Sequence, residues 1–187
     1  DWPGNEGARG VVDILYGDVN PSVRLPYNYP RYPNSLEKYN RKYTESISEG
    51  EQNNDAKYEK SYYPQFEFGT GLSYTTFTYS NLKIDKTEIN DADEINVSVE
   101  VTNSGTKAGK ETVLLYLTDN FASITPEVKT LKRFEKISLE PKETKTVSFV
   151  LKQKDLQFVN NDLKWISEKG TFTIQVSNLN KDFLLKK

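Results

Sequence analysis

"EINVSVEVTNSGTKAGKETVLLYLTD", residues 94–119, decides the fold. Ile95, Val97, Val99 and Val101 take every second position, the period of a strand with one buried face. "NSGTKAG" at 103–109 then offers turn-forming residues, and Val113, Leu115 and Leu117 resume the alternation. Leu114 and Tyr116 are apolar on the opposite face, so this second strand is expected to be covered on both sides.

The same signal extends outward from this hairpin. Phe77, Tyr79, Leu82 and Ile84 precede it. Leu131, Phe134, Ile137 and Leu139 follow with a break in phase that predicts a bulge or bend. "EPKET" turns the chain at 140–144, and Val147, Phe149 and Leu151 alternate beyond it. Leu163 and Trp165 share a phase, "SEKG" turns, Phe172, Ile174 and Val176 alternate, and Phe183 with Leu185 predicts a last edge strand. Seven or eight short strands between turn signals read as a β-sandwich of about 110 residues. With no cysteine in the chain, it is expected to be of the fibronectin rather than the antibody variety. Trp165, in phase with Leu163, is expected in the core between the sheets.

The first part of the chain has a different character. Eleven of the twelve tyrosines lie between Tyr16 and Tyr79, and apolar alternation is almost absent there, which puts a boundary near residues 72–77. One helix is predicted. Pro3-Gly4 turns, Asn5 serves as N-cap, Glu6 lies in the first turn, and Gly17 ends the helix at C′. Ala8, Val11, Val12 and Leu15 form one apolar stripe, which so short a helix must pack on something to be stable. Pro21, Pro26, Pro30 and Pro33 forbid a long helix afterwards, and Arg24-Leu25-Pro26 fits a short edge strand. Residues 45–60 are polar and charged and read as a mobile surface loop. The fold class is therefore mainly β, a sandwich preceded by a short α/β remnant with one helix and long irregular Pro/Tyr-rich segments.

Composition narrows the function. The 187 residues carry a net charge of -2 with both signs mixed, which argues against a nucleic-acid or anionic-membrane partner. With no His and no Cys, the commonest metal ligands and the usual general base are missing, so chemistry would fall to carboxylates, Tyr, Lys or Ser. No apolar run reaches the roughly 18 residues of a membrane-spanning helix. A chain opening on Asp1 is expected to be a piece of a longer one, and its lack of a leader says nothing about location. Asn96-Val97-Ser98 matches a glycosylation acceptor but lies inside a strand-like run, so it carries little weight.

"PGNEGARGVVDILYGDVNPSVRLPYNYPRYPNSL" at 3–36 resembles the end of the second domain of glycoside hydrolase family 3, the β-glucosidases, β-xylosidases and their relatives. "FEFGTGLSYTTFTYSNLKI" at 66–84 resembles the family's passage into a C-terminal fibronectin type III-like domain. "AGKETVLLYLTD" (108–119), "LKRFEKISLEPKETKTVSFVL" (131–151) and "GTFTIQVS" (170–177) resemble that domain's strands. The resemblance implies two domains, the remnant at 1–73 and the sandwich at 74–187. Two departures stand out. Val23 replaces the family's usual Gly in "NPSVRLP", so either that turn differs or it never needed positive φ, and Ala8 replaces a second Gly.

The resemblance further implies a retaining hydrolase whose carboxylate nucleophile and acid/base flank the scissile bond about 5–5.5 Å apart. Both would come from segments outside this chain, an N-terminal barrel and the rest of the α/β domain, which are the expected partners. No catalytic residue, metal ligand or cofactor is therefore assigned here. Asp1-Trp2 matches the family's nucleophile context by coincidence, and Glu6 reads as a helix-start residue. Phe68, Gly69, Gly71, Ser73 and Tyr74 are candidates for the rim of the substrate pocket, although a tight turn at a domain hinge is the favoured reading of the two glycines. The substrate implied is a β-linked oligosaccharide, and a secreted or periplasmic location goes with the resemblance. The alternative is a non-catalytic carbohydrate-binding or adhesion module whose Tyr-rich extension meets polysaccharide.

Overall fold

The computed structural model describes Gly4, residues 6–31, Pro33, residues 38–42 and residues 64–186. The readings placed on Asp1-Trp2, Pro3, Asn5 and the loop at 45–60 lie outside these residues. Among the described residues, helix α1 (Gly7–Leu15) precedes β1 (Phe77–Ile84), β2 (Glu88–Ile89), β3 (Glu94–Asn103), β4 (Gly109–Asp119) and β5 (Thr130–Leu139). Then come β6 (Thr144–Lys152), a 3-10 turn (Gln153–Leu156), β7 (Phe158–Val159), β8 (Trp165–Ile166), β9 (Gly170–Val176) and β10 (Leu179–Leu185).

The strands make a fibronectin type III-like sandwich. One sheet has three strands in the order β1-β3-β6, and the other has five in the order β2-β10-β9-β4-β5. Pairing is antiparallel except between β2 and β10. The alternating residues of the opening hairpin fill the space between the sheets. Val97, Val99 and Val101 of β3 and Val113 and Leu115 of β4 are buried in one core with Ile174 and the stacked Phe172–Phe183 pair, whose centroids lie 5.5 Å apart. The second face of β4 is covered too, since Leu114 is half-buried and Tyr116 is buried.

Bulges explain the irregular phases. In β5, Leu115 faces Arg133 while Tyr116 faces Leu131, so Lys132 is the extra residue. Phe134 consequently lies exposed on the outer face, whereas Ile137 and Leu139 point to the core. In β1 the register slips between Ser80 and Lys83, with Asn81 at φ 52°, which sets Leu82 three residues after Tyr79 instead of two.

Several expectations are corrected. Trp165 is 68% exposed and lies outside the core. Leu163 has a positive φ of 60°, and β8 is a two-residue strand paired with β7 in a separate ribbon, so the Leu163/Trp165 match was too short to define a buried face. The predicted last edge strand, β10, is interior, because β2 adds to its other side and buries Phe183 and Leu185. Glu6 is the N-cap residue and makes no side-chain capping bond, so the helix begins after it. Arg24-Leu25-Pro26 belongs to neither sheet. Leu25 instead donates to the Thr70 carbonyl at 2.9 Å and accepts from Gly69 N–H at 2.8 Å. The end of the helix is as read, with Gly17 at φ 85°. Asn96 sits in β3 with its amide donating to Asp85 at 2.7 Å.

Truncating the core aromatic Phe172→Ala is expected to cost about 3–5 kcal/mol. Trp165→Ala should stay within about 0.5 kcal/mol of the parent. Urea unfolding followed by circular dichroism compares the two, and a large loss for Trp165→Ala would restore it to a core role.

Candidate functional site

The chain's two parts meet at a buried acid. Glu111 stands two residues before Val113 in β4, in the same inward phase, and its side chain is only 7% exposed. An isolated carboxylate there would be strongly destabilising. Arg24 supplies the counter-charge, pairing through Nη2 with Glu111 Oε2 and donating through Nη1 to the Gly71 carbonyl at 2.6 Å. The Tyr79 hydroxyl, from β1 in the opposite sheet, donates to Glu111 Oε1 at 2.8 Å. Burial first, and then the adjacent Glu111 charge, push the Tyr79 phenol far above its ordinary value.

A second set of bonds ties down the helix and the linker. Asn20 donates to the Ala108 carbonyl at 2.9 Å, and its Oδ1 accepts from Ser73 Oγ and from Tyr74 N–H, both at 2.9 Å. The Tyr74 hydroxyl donates to the Ile14 carbonyl at 2.5 Å, which also accepts the Gly17 N–H at 3.1 Å at the end of α1. Lys107 Nζ lies 5.4 Å from the Tyr74 ring centre, within cation–π range. Asn103, fully buried, accepts from Thr75 Oγ1 at 2.6 Å and donates to the Lys107 and Leu139 carbonyls at 2.8 and 3.1 Å.

The passage at 66–71 runs over the outer face of β4. Thr70 N–H closes a turn on the Glu67 carbonyl at 3.0 Å, with Gly69 in its third position at φ 84°, a conformation that favours glycine. A Cβ on Gly71 would fall 2.3 Å from the Val23 carbonyl oxygen, so close backbone approach excludes any side chain there. Val23 itself is not among the positive-φ residues, so its turn does not need the glycine usual at that position. Phe68 stacks on Tyr39 with centroids 4.3 Å apart, and both meet the Tyr116 ring edge-on. Burial, reinforced by Tyr39 and Glu67, pushes the Tyr116 phenol up to about 12.

These elements wall an open cleft of about 540 Å³. Phe68, Gly69, Gly71 and Ser73 line it, and Tyr74 lies beside it. The Ser73 and Tyr74 hydroxyls are engaged by Asn20 and by the Ile14 carbonyl, and Phe68 is held in the aromatic stack. Among the described residues Glu111 is the only carboxylate on the cleft wall, and its two oxygens accept from Arg24 and Tyr79. No group of acidic residues suited to a metal occurs among the described residues. Among the described residues this constellation fastens two pieces of chain together around a single carboxylate.

Sequence reasoning missed Arg24, Glu111, Tyr79 and Asn20. The one available signal was an acid in the inward phase of β4, two residues before Val113.

Arg24→Met strands Glu111, and about 3 kcal/mol of stability is expected to be lost in urea unfolding. Adding Glu111→Leu should recover most of it, because apolar packing replaces the pair. Alkali provides a second check. Unfolded tyrosines ionise near pH 10. With the native Tyr116 at about 12 and Tyr79 also raised, the native state then binds more protons than the unfolded one. Stability is therefore intact below pH ~10 and falls as pH rises above it, each phenol adding about 1.4 kcal/mol per pH unit to the slope. Urea midpoints between about pH 9 and 11.5 should show the fall, and Tyr116→Phe should make it shallower.

Residues 1–74 match the glycosyl hydrolase family 3 C-terminal domain, and residues 111–179 match the fibronectin type III-like domain. A β-xylosidase of Formosa agariphila is 41% identical over 96% of this chain and 24% of its own length. A periplasmic β-glucosidase of Salmonella typhimurium is 38% identical over 92% of this chain and 23% of its own length. The crystal structure of a β-glucosidase from Listeria innocua in complex with gluconolactone superposes with a TM-score of 0.88 at 31% identity, covering 99% of this chain and 27% of that one. The chain thus spans about a quarter of the length of these relatives. It is a family 3 glycosyl hydrolase C-terminal domain joined to a fibronectin type III-like domain, homologous to those of β-glucosidases and β-xylosidases.

Proposed function

We propose that this chain is the supporting C-terminal portion of a longer, retaining, exo-acting β-glycosidase, most simply a β-glucosidase, acting on terminal β-linked sugars. Both catalytic carboxylates come from preceding segments of that protein. One attacks the anomeric carbon to form a glycosyl-enzyme while the other protonates the leaving oxygen, and water then releases the sugar with the second residue acting as base. No cofactor takes part. Residues 1–73 complete the α/β domain, residues 74–187 form the brace, and Phe68, Gly69, Gly71, Ser73 and Tyr74 stand at the edge where the two meet.

The observation that carries the reading is the apolar stripe of α1. Val11 and Val12 are half-exposed and Leu15 is 72% exposed, although the polar side of this part of the chain is bonded with care. Such a stripe fits a helix whose packing partner belongs to the rest of the α/β domain. Relatives about four times as long support the same view.

A second reading, a polysaccharide-binding module, is favoured by the half-exposed cluster of Tyr27, Tyr29 and Phe66, whose neighbouring rings lie 6.4 and 6.0 Å apart. It predicts that an insoluble β-glucan retains the chain and that Tyr27→Ala with Tyr29→Ala abolishes retention.

Purified chain, verified by mass, is expected to release no nitrophenol from aryl β-glucosides or β-xylosides, whereas the longer protein does. Turnover by the chain alone would sink the proposal. Val12→Asp with Leu15→Asp should leave this chain within about 0.5 kcal/mol of its parent. The same pair should cost the longer protein about 2–3 kcal/mol, since it buries charge against an apolar partner.

A further inference from the structure

A second cleft, of about 370 Å³, shares no lining residue with the junction. It lies where β4 ends and β5 begins, beneath the β7–β8 ribbon. Leu117, Leu156 and Phe172 give it an apolar floor, continuous with the core. Trp165 stands on its wall with most of its surface exposed to water, and the indole makes no hydrogen bond among the described residues. A large aromatic left exposed on the wall of a concave site is the usual mark of a surface kept for a ligand.

The polar groups of the wall narrow the ligand class. Asp119 spends one carboxylate oxygen on the Phe121 N–H at 3.1 Å, and the other has no partner among the described residues. The Lys132 ammonium, brought to the cleft by the extra residue of the β5 bulge, feels the Asp155 and Glu127 charges but makes no side-chain hydrogen bond or close ion pair among the described residues. Asp155 is already taken by Arg133, at 2.9 and 2.6 Å. Glu127 accepts from Thr130 at 2.8 Å. An unspent acceptor and an unspent donor thus share a cleft with an open indole face. The charges around it have both signs, which disfavours a phosphate or a polyanion. The volume is at the lower end of small-ligand sites, commonly about 300–1,000 Å³.

We infer that this cleft binds a neutral carbohydrate, with the C–H face of a pyranose on the Trp165 indole and its hydroxyls bonded to the Asp119 carboxylate and the Lys132 ammonium. A sugar ring is a neutral ligand that offers both an apolar face and a rim of donors and acceptors. Burial raises Asp119 and lowers Lys132 from their ordinary values, as expected of groups partly withdrawn from water and able to gain from a polar ligand. The inference does not depend on the proposed function, because it concerns binding without turnover.

The test uses the whole 187-residue chain with nitrogen-15 in its two tryptophans, Trp2 and Trp165. Cellotetraose, laminaritetraose and xylotetraose are titrated to about 10 mM, a range that captures millimolar affinity. At least one should shift the Trp165 indole resonance saturably and leave that of Trp2 in place. Trp165→Ala should weaken binding at least about tenfold by calorimetry, while Trp165→Tyr keeps most of it. Lys132→Met should weaken binding, and Tyr27→Ala with Tyr29→Ala should leave it unchanged, which separates this site from the exposed aromatic cluster. Equal thermal midpoints establish that the variants are folded. The inference is overturned if none of the tetrasaccharides moves the Trp165 resonance, if Trp165→Ala binds like the parent, or if tetragalacturonate binds as well as the neutral sugars.

Discussion

The ion pair between Arg24 and Glu111 is the constraint on which the rest of the arrangement depends. Glu111 occupies a position that the alternation of β4 reserves for an apolar residue, so the sandwich is incomplete until a cation arrives. That cation comes from 87 residues earlier in the chain. Once Arg24 is in place, its second nitrogen fixes the Gly71 carbonyl, and Gly71 in turn touches the backbone at Val23. The Tyr79 hydroxyl links the same acid to the opposite sheet. A charge that would weaken an ordinary core thereby gives the segment around Arg24 one defined seat.

What could be read from the sequence follows from the range over which each signal operates. β3 and β4 are long, and their alternation continues for three or four apolar residues, enough to fix both the faces and the hairpin. The phase break in β5 was likewise visible, and the bulge at Lys132 accounts for it. Trp165 was misplaced because two residues in phase cannot tell a sheet strand from a short ribbon beside the sandwich. Interior placement of β10 depends on β2, a strand of two residues that carries no periodicity.

The junction was hidden for a different reason. Arg24, Asn20, Ser73, Tyr74 and Glu111 are ordinary polar residues in sequence, and only the fold brings them into one network. Phe68, Gly69 and Gly71 were visible as a motif, but their roles as stacking ring, turn residue and close-approach point required coordinates. Motif resemblance and physical patterning thus supplied complementary knowledge. The first named the family, and the second built the sandwich.

The pairing of Leu25 with Gly69 and Thr70, and of Tyr29 with Phe66, joins two segments that lie far apart in sequence. Arg41 adds one further anchor partway along, through its carbonyl to Val128 N–H at 2.8 Å. A loop clamped at its base can change length cheaply, since each doubling adds only about 0.6 kcal/mol of closure entropy. Insertions or deletions between Tyr29 and Phe66, on either side of the Arg41 anchor, leave the seat of Arg24 in register. Changes of length in that stretch of sequence are accordingly expected to leave the scaffold beneath unchanged.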